Sequence, residues 1–429
     1  IFKPLSQPPA NHSCGENMFA DSAKILFVVD DPNLLKAIQQ LLQDEQWDCR
    51  FAGSAAAALE ILKTEPVELV AADQALATTD GNELLLQMRK RHPQTIRLLL
   101  AEQTQAANSV EFLANSCAQQ ILPRPWIDQE FKEIIRSALR QSALQKQYSP
   151  EFQILINSTP LLPALPESYS SVRSCIVGDE VDIEKMATTI NQDVSITSIL
   201  LHWANSALFG QRFQVDTVKK AIIVLGTDIV QNLILSEAIN RTVAANIPVI
   251  KGFDLLSFKK HSIATAIIAR LLIKTLYSND KDRHDRAFIA GLLHDMGILA
   301  AASFFPQQFE QAIEIAQNRP TSLVEAEHQC YATSHAEIGA FLAEWWSLPP
   351  LLVNAIAWHH QPRSTPVDEE IVVATFLANR LSCQFNYSGG FETVPQDVSE
   401  DYRKLFFLDD EAIEILQNEC DKTILTLLH

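Results

Sequence analysis

KILFVVDDPNLLKAIQQLL, residues 24–42, is the stretch whose reading decides the first half of this chain. Residues 24–30 form a short apolar run that ends in acid, the pattern of a strand buried on both faces of a parallel sheet. Residues 32–46 then carry Leu34, Leu35, Ile38, Leu41 and Leu42 at helical spacing. The alternation repeats downstream. CRFAGS, VELVAAD and TIRLLLA read as strands, and AAAALEILKTE and NELLLQMRKRHP as helices. VEFLANSC, QQILPRPW and DQEFKEIIRSALRQ complete the series as helix, strand with turn, and helix. Five strands alternating with helices predict a doubly wound, flavodoxin-like parallel sheet over residues 24–143.

Beyond residue 143 strand signals nearly vanish. Residues 144–160 read as a helical linker. DIEKMATTINQD, SITSILLHWANSALFG, VDTVKKAIIVLGTDIVQNLILSEAINRTV and FKKHSIATAIIARLLIKTLY all show helical periodicity. So do DRAFIAGLLHDMGILAAASFFP, SHAEIGAFLAEWW and PPLLVNAIAWHH, each bounded by Gly, Pro or Asn. Residues 161–429 are therefore expected to be all-α, including a C-terminal extension with an acidic helix start at LDDEAIEIL. No chemistry is expected in residues 361–429. Residues 1–23 are Pro- and Asn-rich and are expected to be disordered, with Met18 as the natural start.

The chain has 429 residues, 47% hydrophobic and 20% charged, which is enough to bury the cores of two or three domains. Its formal net charge of −18 repels phosphate backbones and anionic lipid surfaces, so nucleic-acid binding is not expected. Seven scattered cysteines, with no CxxC pair, read as reduced thiols in a cytoplasmic protein. No run of about 18 uninterrupted apolar residues predicts a membrane span.

Three acids fall at strand ends, Asp30 and Asp31 after the first strand and Asp73 after the third. The carboxyl ends of parallel strands form the ligand crevice of such a sheet. Clustered carboxylates there repel one another and are stabilised by a hard divalent cation. An acid at a strand end also caps the helix that follows, and each of the three alone is compatible with that lesser role. In this order, and with TTDG at residues 78–81, they resemble the response-regulator receiver family. The resemblance implies Asp73 as phospho-acceptor and Asp30, Asp31 and Asp73 as Mg²⁺ ligands. Two positions depart from the family's pattern: Ala101 stands where a hydroxyl couples phosphorylation to a switch, and Arg124 stands for a lysine before Pro125.

The second half carries LPALPES, NQDVSITSILLHWANSALFG, VDTVKKAIIVLG, GLLHDMG and SHAEIGAFLAEWWSLPPLLVNAIAWHHQP. Together these resemble the HDOD family, relatives of HD phosphohydrolases. The resemblance implies a metal constellation of His261, His294, Asp295, His335, His359 and His360, with His294 and Asp295 adjacent on a helix. A divalent metal there would acidify a water that attacks a phosphoester. The remaining histidines, among them His92, His202, His284 and His328, read as ordinary polar or surface residues. Ile298 replaces the lysine of HD enzymes, and Asn379 stands where a closing aspartate is expected. The whole reads as an intracellular signal-transduction protein with a receiver-like input and a non-catalytic, protein-binding HDOD output. The alternative is an HD-type phosphohydrolase acting on a nucleotide or cyclic dinucleotide. The implied cofactors are Mg²⁺ in the receiver pocket and a divalent metal in the HD-like site. The implied partners are an upstream kinase or docking protein and a downstream signalling protein, with homodimerisation left open.

Overall fold

A computed structural model describes residues 23–76, 81–92, 95–102, 118, 120–146, 148, 152–153, 155–156, 167–177, 180–209, 214–242, 247–346, 348–362, 369–389 and 400–428. The expectations for residues 1–22, the helix over 110–117, residues 78–80, most of the 144–160 linker and the LPALPES opening before residue 167 lie outside the described residues. The chain divides into two compact units, Ile1–Leu162 and Pro163–His429.

In the first unit, β1 (Lys24–Val28), β2 (Asp48–Ala52), β3 (Leu69–Asp73), β4 (Ile96–Glu102) and β5 (Gln120–Arg124) form one parallel sheet in the order β2-β1-β3-β4-β5. The alternation of side chains along each strand explains the two covered faces. Ile25 and Phe27 of β1 pack with Ile38 and Leu42 of α1 (Pro32–Leu42) and with Phe131 and Ile135 of α4 (Asp128–Gln145). Leu26 and Val28 point the other way, onto Ala58 and Leu62 of α2 (Ala55–Thr64) and Leu84, Leu85 and Met88 of α3 (Gly81–Arg91). Each fully buried side chain of this size stabilises the fold by about 1.5–3 kcal/mol. Helix α1 starts where it does because Pro32 fixes the first turn and the Asp31 side chain accepts the Asn33 N–H.

The second unit is helical. It opens with α5 (Glu167–Arg173), α6 (Ile183–Ile190), α7 (Val194–Asn205), α8 (Val218–Leu225) and α9 (Thr227–Thr242). Its centre is α10 (Leu255–Leu276), α11 (Lys281–Leu293) and α12 (Met296–Phe304), followed by α13 (Pro306–Asn318), α14 (Leu323–Tyr331), α15 (His335–Trp345) and α16 (Pro350–Trp358). The extension adds α17 (Glu369–Gln384), α18 (Glu400–Leu405) and α19 (Asp410–Leu428). One short hairpin accompanies the helices. Ile176–Val177 and Glu180–Val181 pair antiparallel as β6 and β7, strands too short to leave a periodicity in the sequence. Gly226 separates α8 from α9 at φ +89°, a backbone that suits glycine. Ser322 with Glu325, and Ser334 with Glu337, form reciprocal capping boxes that start α14 and α15.

Helix α10 packs against α11, α17 and α19 and forms the spine of the unit. Within residues 281–304 an 18-residue window is apolar enough to cross a membrane, but 89% of that window is buried inside this bundle, so it reads as core.

Candidate metal centre

In the receiver-like unit the three acids take different parts. Asp73, 2% exposed, is gripped by Arg124: Nη2 lies 3.0 Å from Oδ1 and Nη1 donates to Oδ2 at 3.1 Å. This is the two-pronged contact a lysine cannot make. Asp31 is exposed and caps α1, the lesser of its two expected roles. Among the described residues the acids Asp30, Asp31 and Asp73 do not form one of the sets whose ligand atoms lie within 4.8 Å of one another. Ala101 is fully buried beside β5, and the Arg124–Pro125 bond is cis. Gly81 is required by its surroundings, since a Cβ there would meet the Asp73 carbonyl oxygen at 2.1 Å.

In the helical unit all six predicted His and Asp residues converge. His294 and Asp295 do not lie on a helix, contrary to expectation. They form the joint between α11 and α12, and Asp295, in the N-cap position, makes no cap hydrogen bond. Its carboxylate turns to imidazoles instead. Oδ2 lies 3.2 Å from His261 Nε2 and 3.1 Å from His294 Nε2. Oδ1 lies 3.4 Å from His335 Nε2 and 3.1 Å from His359 Nε2. His360 joins the second group, its Nε2 2.8 Å from His335 Nε2. One carboxylate thus joins two clusters, His261–His294–Asp295 and Asp295–His335–His359–His360.

The far nitrogens decide what the near ones can do. Nδ1 of His261, His294 and His359 donates to the carbonyl oxygens of Tyr387 (2.6 Å), Gly291 (2.8 Å) and Ile356 (2.7 Å). Nδ1 of His335 donates to Glu327 Oε2 at 2.7 Å. A carbonyl only accepts, so each of those rings carries its proton on Nδ1 and, when neutral, presents a lone pair from Nε2. Lone pairs of the neutral rings therefore face one another across 3.2 Å between His261 and His294, while His335 Nε2, protonated when that ring is charged, lies 3.3 Å from His359 Nε2. A metal ion between the rings, or a proton on one of the two nitrogens, would relieve that opposition. Rings anchored through Nδ1 with Nε2 converging on a carboxylate fit a divalent transition metal.

The charges agree. Burial alone would push the Asp295 carboxyl up, but the imidazoles around it, His294 first and then His261 and His335, hold it well below the usual range. Burial pushes His294 down to about 4. Burial also works against a charge on His335, yet Glu327 and Asp295 outweigh it and raise that ring to about 10. His360 is lowered by burial and by neighbouring His359 and His335. Without a metal, the cluster is a carboxylate paired mainly with one imidazolium.

Ile298 is fully buried. Asn379 is also buried, and among the described residues its Oδ1 has no hydrogen-bond partner. One turn further along α17, Ser382 Oγ touches His261 Nδ1 at 3.2 Å. Two of the histidines read as ordinary have local partners: His202 Nδ1 lies on Ser198 O, and His284 Nε2 on Tyr277 O.

Two groups escaped the sequence reading. Glu327 is fully buried and holds both the Nδ1 and the backbone N–H of His335. A glutamate within an otherwise ordinary helix eight residues before a candidate ligand was the only signal. Tyr387 contributes a backbone carbonyl, which carries no sequence signature, from a region expected to hold no chemistry.

A family model for the response regulator receiver domain matches residues 25–136, and one for the HDOD domain matches residues 162–362. An uncharacterized protein of Treponema pallidum is 25% identical over 243 residues, 56% of this chain and 46% of that protein. The hydrogenase transcriptional regulatory protein HoxA of Cupriavidus necator is 24% identical over 143 residues, 33% of this chain and 30% of HoxA. The match spans less than half the length of either relative. A solved HDOD domain protein of unknown function from Geobacter sulfurreducens is 23% identical, covering 66% of this chain and 88% of that chain with a TM-score of 0.49. Residues 25–136 are a response regulator receiver domain and residues 162–362 an HDOD domain, which together make this the chain of a signal-transduction protein.

Proposed function

We propose that the receiver domain takes the input by docking a protein partner, and that the HDOD domain gives the output by binding another, with divalent metal at Asp295 as a fixed part of its architecture. The observation that carries this reading is closure. His261, His294 and His359 have no exposed surface and Asp295 has 2%, with only His360 partly exposed. Structural metal sites are closed, whereas catalytic ones keep a position open to substrate. One ion would rest on His261, His294 and Asp295 Oδ2. A second would rest on His335, His359, His360 and Asp295 Oδ1. The fork of Arg124 on Asp73 supports docking over phosphorylation as the input.

The phosphohydrolase reading stays as the second, favoured by the five imidazoles and one carboxylate. A bound metal would supply an acidified water to it. Metal analysis and a turnover assay separate the two. We expect the purified chain to bind transition metal and to leave a panel of nucleotide monoesters and linear and cyclic dinucleotides intact in added Mn²⁺. Turnover abolished by Asp295→Ala would replace the first reading with the second. Absence of metal, even after loading, would remove the metal from both.

A further inference from the structure

We infer that Tyr387 and Asp421 are positioning residues for the metal cluster, through which docking of the last helix sets how firmly the His261–His294 half holds its ion. The inference rests on the metal reading above.

The anchors of the four Nδ1 groups differ in one respect. Gly291 and Ile356 lie three residues before His294 and His359, so those rings are fixed by their own helical turn. Glu327 lies eight residues before His335. His261 alone among these four takes its acceptor from far away, the Tyr387 carbonyl 126 residues on. That carbonyl lies beyond residue 362, outside the stretch matched by the HDOD model.

What holds Tyr387 is visible. Its N–H donates to Ser382 O at 2.8 Å, and Asn386 before it takes φ +65° to turn the chain. Its phenol donates to Asp421 Oδ1 of α19 at 2.7 Å. Burial and then Asp421 push the phenol up, so it remains a donor. Helix α19 in turn packs on α10, which carries His261, and buries Leu416, Cys420, Thr423 and Ile424 on one face. The path runs from α19 through Asp421 and Tyr387 to His261 Nδ1, with a hydrogen bond at each step. A fixed acceptor behind a ligating histidine sets its ring orientation and basicity. Linkage is reciprocal, so the ion also strengthens the docking of α19.

The test uses the full chain loaded with Co²⁺ and followed by absorbance after excess chelator is added. In Tyr387→Phe and in Asp421→Ala, one phase of Co²⁺ release should quicken about tenfold, the low end of the effect of removing groups behind a metal ligand. The other phase should keep its wild-type rate. Asp421→Asn, which retains an acceptor oxygen, should release close to wild type. The Tyr387→Phe/Asp421→Ala double variant should release no faster than either single one. Circular dichroism shows that each variant is folded, and Asp421→Ala suffices if Tyr387→Phe is not. Wild-type rates in the folded variants, or both phases quickened alike, would overturn the inference while the metal reading stands. A wild-type chain that takes up no Co²⁺ overturns the metal reading itself.

Discussion

Arg124 holds both oxygens of Asp73, and this pair governs what the receiver pocket can accept. Phosphorylation requires one of those oxygens to leave the guanidinium and attack phosphorus. Lysine, a point charge on a flexible stem, would leave the carboxylate less constrained. Arg124→Lys should therefore raise the yield of phospho-Asp73 from a small phosphodonor with Mg²⁺ severalfold, read by intact mass. Asp73→Asn should take up none, and equal labelling of wild type and Arg124→Lys would defeat the argument. In the second unit, opposed shifts give the metal-free domain a bell-shaped stability. His294 is lowered from 6.5 to about 4, and His360 is lowered as well. The unfolded chain then binds more protons in acid, and stability falls as pH drops from 6.5 towards 4. His335 is raised to about 10, so its contribution is complete below 6.5 and is lost as pH rises through 10. Urea midpoints of the metal-stripped chain at about pH 5, 7 and 9 should be highest in the middle. A profile flat across this range would contradict the assigned charges.

At the scale of elements, the cluster depends on close approach of α12 and α15. A Cβ on Gly297 would meet the His335 carbonyl oxygen at 1.9 Å and the Gly339 nitrogen at 2.7 Å. Both are backbone atoms, so no rotamer relieves the clash and the helices must part. Gly297→Ala should lower stability by about 1–3 kcal/mol, the usual range for overpacking, and should weaken metal uptake because His335 opens α15. Gly226→Ala is the control for backbone strain alone. It has no neighbour within 4 Å but sits at φ +89°, so it should cost about 1 kcal/mol and leave metal uptake unchanged. Chemical denaturation with metal titration of both variants measures the difference, and equal metal uptake in the two would refute the packing argument. The helix pattern was legible here through the helical period of stretches such as SHAEIGAFLAEWW, which became α15. The break at His294 and Asp295 was not legible, since LLHDMGIL continues the apolar period across it.

At the scale of the molecule, the division into a parallel α/β unit and a helical unit was readable because burial on both faces of a sheet and on one face of a helix leave different periods. The six convergent residues were readable only through family resemblance, since they are spread from residue 261 to 360 and no spacing rule joins them. Their anchors were the illegible part. Glu327 has the sequence surroundings of a surface acid yet is fully buried, and a main-chain carbonyl such as that of Tyr387 belongs to every residue type alike. The 126-residue gap between His261 and that carbonyl also has a consequence for biosynthesis. At about 5–20 residues per second, Tyr387 leaves the ribosome roughly 6 to 25 seconds after His261. For the last 92 residues of that stretch His261, His294 and Asp295 are all made, while the group that orients the first of them does not yet exist. A nascent chain that meets metal during translation meets a half-site whose first ring is still free to turn.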